Sequence, residues 1–163
     1  RRKHTEYGLG LIEKQKLRFN YGVSERQLRR VVTEAKRLKG ATGSKIVELL
    51  ERRLDNLVFR AGFAPTVPAA RQLVSHGHFT LNGRRVTVPS IRLRVGDEFA
   101  PTESGRAIAL VGSSLQKPSL ERPEWIALDG QAMKARLTHL PEGDSAPFPL
   151  DLQRVVEYYS TRT

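Results

Sequence analysis

The chain contains no cysteine, one methionine and one tryptophan. Without thiols there is no disulfide, no thiol nucleophile and no cysteine-ligated zinc within these residues. Long apolar runs are missing as well. No stretch approaches the ~20 consecutive apolar residues that span a bilayer, and no signal-peptide pattern opens the chain, so a cytosolic protein is expected. Aromatic residues make up 7%, and nowhere do they alternate into a platform on which unpaired bases would stack. There is no Gly-x-Ser-x-Gly elbow, no glycine-rich phosphate loop ending in Gly-Lys-Ser/Thr and no His-Glu-x-x-His. Enzyme chemistry has no visible seat, and the expectation is a protein without a cofactor. His76 and His78 offer two imidazoles across a glycine, but no nearby Cys, Asp or Glu completes a metal site.

Acidic residues are scarce where basic ones crowd. The net charge is +11 and the pI about 10.5. Residues 1–94 carry 21 Lys and Arg against 7 Asp and Glu, a net +14, whereas residues 95–163 carry 7 against 10, a net −3. So polarised a cationic field points to a polyanion, and with few aromatics to structured RNA recognised through its backbone. The 163 residues, 39% of them hydrophobic, suffice for one large domain or two small ones. Because the sequence opens on Arg1 rather than Met, it reads as processed or as a fragment.

Helical signals come first. Leu9, Ile12 and Leu17 among Lys14, Lys16 and Arg18 suggest a helix over 9–18. Ser24 and Gln27 have capping-box spacing ahead of the stripe Leu28, Val31, Val32, Ala35 and Leu38. The other faces of that helix carry Arg26, Arg29, Arg30, Lys36, Arg37 and Lys39, too many cations for balanced salt-bridging with Glu34. After the linker Ala41-Thr42-Gly43, Ser44 can cap one helix whose stripe runs Ile46, Leu49, Leu50, Leu54, Leu57 and Val58 before Gly62. Asp55 within it suits either pairing with a neighbouring arginine or accepting backbone hydrogen bonds. Thr66 and Pro68 then start a further helix.

Residues 70–85, Ala-Arg-Gln-Leu-Val-Ser-His-Gly-His-Phe-Thr-Leu-Asn-Gly-Arg-Arg, write a basic helix, a glycine stop at Gly77 and a hairpin turned by Asn82-Gly83, the type I′ signal. Helix and hairpin tip then present polar and basic groups on one side, as an RNA grip requires. Ile91 to Val95 alternate like a strand with an arginine face, and Gly96-Asp97 turns it into Glu98-Phe99. Beyond Pro101 a short helix over 108–115, strands over 125–128 and 135–140, a loop over 141–149 and a closing helix with Leu152, Val155, Val156 and Tyr159 are expected.

Several of these residues together resemble a known family, that of the fourth protein of the bacterial small ribosomal subunit, which gives the S-four RNA-binding domain its name. The likeness rests on Tyr7-Gly8-Leu9 with Glu13-Lys14-Gln15-Lys16, Tyr21-Gly22-Val23 with Glu25-Arg26-Gln27, and Leu38-Lys39-Gly40 with Thr42-Gly43. It continues through Leu50-Glu51 with Arg53-Leu54-Asp55-Asn56, Gly62-Phe63, Ala70 to His76, Asn82-Gly83 and Val156 to Ser160, and it covers essentially the whole chain.

The resemblance implies an α+β fold in which a discontinuous helical domain, residues 1–44 plus 141–163, holds an inserted S-four RNA-binding domain over 45–140. It implies a non-enzymatic constituent of the small subunit in the cytoplasmic ribosome. That protein binds small-subunit rRNA early, at the five-way junction of the 5′ domain. Its other partners would be the fifth small-subunit protein and mRNA at the channel through which the message enters. Family members usually carry a further N-terminal segment, in many cases with a cysteine zinc site. They also usually open the helix that starts here at Thr66 with Ser/Thr-Arg, where this chain has Thr66-Val67 and so lacks one cation. The expected RNA contacts are Arg2, Lys3, Arg18, Arg26, Arg29 and Lys39 in the helical part. In the inserted module they are Lys45, Arg52, Arg53, Arg71, Gln72, His76, His78, Asn82, Arg84 and Arg85. The alternatives are an RNA-modifying enzyme or a ribosome recycling or stress factor carrying an S-four module.

Overall fold

Thr5 accepts the Gly8 N–H at 3.0 Å and so starts α1 (Glu6–Tyr21). Ser24 and Gln27 close the expected capping box at the head of α2 (Glu25–Arg37). With α3 (Thr42–Glu51) and the closing helix α8 (Leu152–Ser160), these elements make one compact unit of the computed structural model. The structure describes residues 5–160. The core of this unit joins Leu17, Tyr21, Leu28, Val32, Ala35, Ile46, Leu50, Val155 and Tyr159. Two hydrogen bonds serve polar groups inside it: Tyr21 donates to Glu51 at 2.6 Å, and the Asp151 N–H donates to Glu13 at 2.7 Å.

The second unit spans Arg52–Pro141. It contains α4 (Leu54–Ala61) and α5 (Val67–Ser75), then the strands β1 (Phe79–Leu81), β2 (Arg84–Val86) and β3 (Glu98–Pro101). The short helices α6 (Glu103–Arg106) and α7 (Ala109–Gln116) precede β4 (Ile126–Asp129) and β5 (Lys134–Leu137). The sheet is antiparallel with order β2-β1-β3-β5-β4. Phe79 lies opposite Val86 and Pro101, and Phe99 opposite Ala135, which puts Phe79, Phe99, Ala135 and Leu137 on the core face. Phe63 meets Phe79 and Phe99 edge-on at 5.5 and 6.2 Å, in a core that also takes Leu57, Val58, Leu73 and Val74 from the helices. The chain is thus α+β.

Two sequence expectations differ from the structure. The stripe from Ile46 to Val58 predicts one helix, but the chain breaks at Arg52 and Arg53, with Arg53 at φ −64°, ψ 141°. The cause is a distant segment. Arg53 pairs with Arg92 in an isolated antiparallel bridge, the Leu93 N–H donates to Arg52 O at 2.9 Å, and the Leu54 N–H to Ile91 O at 2.8 Å. For the same reason Ile91–Val95 is no sheet strand: it is spent on that bridge, with Leu93 buried and the Arg94 N–H turned onto Asp97 Oδ2 at 2.8 Å.

Candidate nucleic-acid interface

In the second unit a single carboxylate organises two cations. Asp55 is fully buried in the first turn of α4. Arg53 grips it with two bonds, Nε to Oδ1 at 3.1 Å and Nη2 to Oδ2 at 3.0 Å, while the Asn56 N–H donates to Oδ1 at 2.7 Å. Arg71, one helix later, reaches the same carboxylate at 3.3 Å. The partners differ in exposure: the Arg53 side chain is 9% accessible and that of Arg71 38%. One anion between two guanidiniums leaves a net positive charge, and only Arg71 brings it to the surface.

Arg71 and Gln72 sit on α5, which Thr66 caps by accepting the Ala69 N–H at 3.1 Å. His76 ends the helix, and Gly77 follows with φ +80°. The hairpin returns onto that terminus: Arg85 donates Nε–H to Gly77 O at 3.0 Å, and a Cβ at Gly77 would collide with the Arg85 guanidinium. Helix end and hairpin are therefore latched to one another. His76 and Arg84 are exposed, and His78 contacts Ser104 Oγ at 3.3 Å through Nδ1.

Asn82 at φ 50° and Gly83 at φ 83° form the type I′ turn. The Asn82 side chain is occupied, donating to Asp97 Oδ1 at 2.9 Å and accepting the Glu98 N–H at 2.8 Å. Arg52 is also engaged, with Nε–H on Leu93 O at 2.8 Å. On the sheet face away from the core Arg136 and Lys134 flank Glu98. The Arg136 hydrogen bond holds the Glu98 carboxyl below its usual range against desolvation, helped by the charges of Arg136 and Lys134.

In the first unit, Arg26 and Arg29 line a shallow depression on α2 together with Arg30, Thr33, Glu34 and Arg37. Arg30 and Arg37 belong to the polar face that the sequence marks as over-rich in cations, although only Arg26, Arg29 and Lys39 of that face are among the expected contacts. Arg18 donates to Gln15 at 3.0 Å, Lys45 pairs with Glu48 at 2.9 Å, and Lys39 is exposed. Arg2 and Lys3 lie outside the described residues. No cluster of three His, Cys, Asp or Glu suited to a metal is found among the described residues, and none of their helices is long and apolar enough to cross a membrane.

Comparison with known proteins bears on both units. Residues 1–51 match the family model described as ribosomal protein S4/S9 N-terminal domain, and residues 52–99 match the S4 domain. The chain is 55% identical to small ribosomal subunit protein uS4 of Methylobacillus flagellatus over 99% of its own length and 79% of that protein. It is 54% identical to uS4B of Nitrosomonas europaea, with the same coverage, and 50% identical to uS4 of Thermosynechococcus vestitus over 99% and 81%. The family-model matches and this near-complete coverage establish that the chain belongs to the uS4 family of small-subunit ribosomal proteins, structural rather than enzymatic and carrying an S4 RNA-binding domain.

Proposed function

We propose that this chain binds small-subunit rRNA early in subunit assembly, at a helical junction of the 5′ domain, and fixes the geometry of that junction for later proteins. The observation that carries the reading is the latched helix and hairpin of the second unit. Arg71, Gln72 and His76 line α5, and Arg85 ties the hairpin carrying Arg84 to the helix terminus. Rigidly spaced cations suit phosphates whose spacing is set by RNA shape. On α2, Arg26, Arg29, Arg30 and Arg37 add proposed contacts of the first unit, and Arg18, Lys39 and Lys45 are further proposed contacts there. Arg53 and Asn82 hold the site in place through hydrogen bonds to Asp55 and to Asp97 and Glu98, and the Nε–H of Arg52 is held by Leu93 O. Family membership supports the cytoplasmic ribosome as its location; a position beside the channel through which mRNA enters, in contact with the fifth small-subunit protein, is part of the same proposal. Acting as the RNA-binding module of an enzyme, or of a recycling factor, is the weaker reading for a chain so fully matched by ribosomal relatives.

The test is binding to a 5′-domain transcript of small-subunit rRNA at near-physiological salt with excess tRNA, followed by chemical footprinting. Tight binding with protection at the five-way junction is expected. Displacement by tRNA without a discrete footprint would reduce the chain to a generic basic RNA binder.

A further inference from the structure

The outer face of α1 inverts the usual sorting of residues. The helix buries Glu13 and Lys14, at 7% and 6% exposure, yet leaves Phe19 74% exposed and Ile12 39%. The buried charges have a structural account. Glu13 accepts the Asp151 N–H and pairs with Lys16 at 2.8 Å, and Lys14 pairs with Glu25 at 2.8 Å and lies 5.2 Å from the centre of the Tyr158 ring. Phe19 has no such account. A lone apolar side chain at a surface is ordinary, but no other large hydrophobic side chain among the described residues is as bare. At 100° per residue Ile12, Lys16 and Phe19 share one face, and Arg18 and Asn20 flank the ring. Between residues 5 and 40 the sequence places nine Lys and Arg against four Glu.

We propose that Phe19 is a stacking site for an unpaired nucleobase of the RNA this protein binds, with Lys16 and Arg18 facing the adjoining phosphates. The inference rests on the RNA-binding reading above. Charge decides the occupant: an apolar protein surface covering the ring would strip water from Lys16 and Arg18 without replacing it, whereas a nucleotide offers a flat ring and an anion together. The sequence has no platform of aromatic residues, so this is one stacking position within a backbone-reading surface.

The full chain would be titrated with the 5′-domain transcript as wild type, Phe19→Ala, Phe19→Leu and Phe19→Trp. The ring is exposed, so all four should fold alike, which far-ultraviolet circular dichroism checks. Ala and Leu are expected to weaken binding about ten-fold, the scale of one lost base stack, while Trp retains wild-type affinity. The slope of affinity against salt should not change, because no phosphate contact is removed. Wild-type affinity in Phe19→Ala, or in Phe19→Leu, overturns base stacking. A wild-type chain that fails to bind the transcript overturns instead the function on which the inference rests.

Discussion

Asp55 and Arg71 separate stability from recognition at the level of single residues. Removing the Asp55 charge leaves the buried Arg53 guanidinium without its counter-ion, so Asp55→Asn should lower the unfolding free energy by about 3 kcal/mol in urea titrations. Arg71→Ala leaves the Arg53–Asp55 pair intact and removes a half-exposed side chain. It should barely move the urea midpoint, yet cost about 1–2 kcal/mol of rRNA affinity through one lost charge-assisted contact. If Arg71→Ala destabilised the fold as strongly as Asp55→Asn, Arg71 would be a structural member of the cluster. The pairing of Asp55 with an arginine was legible from its neighbours in sequence. That Arg53 and Arg71 share it was not, because sequence spacing does not reveal which of two arginines is buried.

Elements were legible where their signals are local. The Ser24–Gln27 capping box, the Thr66 cap with Pro68 in the first turn, and the Asn82-Gly83 turn each act within four residues. The break between α3 and α4 depends on a bridge to Arg92 some forty residues away, which no local pattern encodes. The four-residue helix α6 also went unread, its only marks being Thr102, which accepts the Gly105 N–H at 3.1 Å, and the three residues after it.

Helix packing adds a pH dependence. Burial raises the Glu25 pKa, but hydrogen bonds from Lys14 and Tyr159, with the charges of Lys14 and Arg29, outweigh it and hold the carboxyl below its usual range. Burial and the same Glu25 push the Tyr159 hydroxyl well above its ordinary value, so it stays a donor. A depressed carboxyl stabilises the fold above the unfolded value of about 4.3 and loses that contribution as pH falls through the folded one. The stability gap between wild type and Glu25→Gln should therefore be full near neutrality and close below about pH 4 in urea titrations run across pH. A gap that stayed constant down to acid would mean that the contact contributes packing alone.

For the whole molecule, the question is whether affinity follows total charge or its placement. Residues 1–94 hold a net +14, and residues 95–163 hold −3. Within the acidic part, Arg136 and Lys134 flank Glu98, and Arg106 donates to Ala132 O at 2.9 Å. Arg26, Arg29 and Arg30 instead line an open face of α2. Each phosphate neutralised releases counterions and contributes about 0.7 to 0.9 to the slope of log affinity against log salt. Neutralising Arg26, Arg29 and Arg30 to Gln should flatten that slope by about 2 to 3. The same three-charge change at Arg106, Lys134 and Arg136 should leave it nearly unaltered. Both triple variants lose equal net charge, so a long-range field acting alone would shift them equally. Salt titrations against the 5′-domain transcript distinguish the two cases: equal slopes would mean that the positive end only attracts RNA, and unequal slopes that α2 meets it.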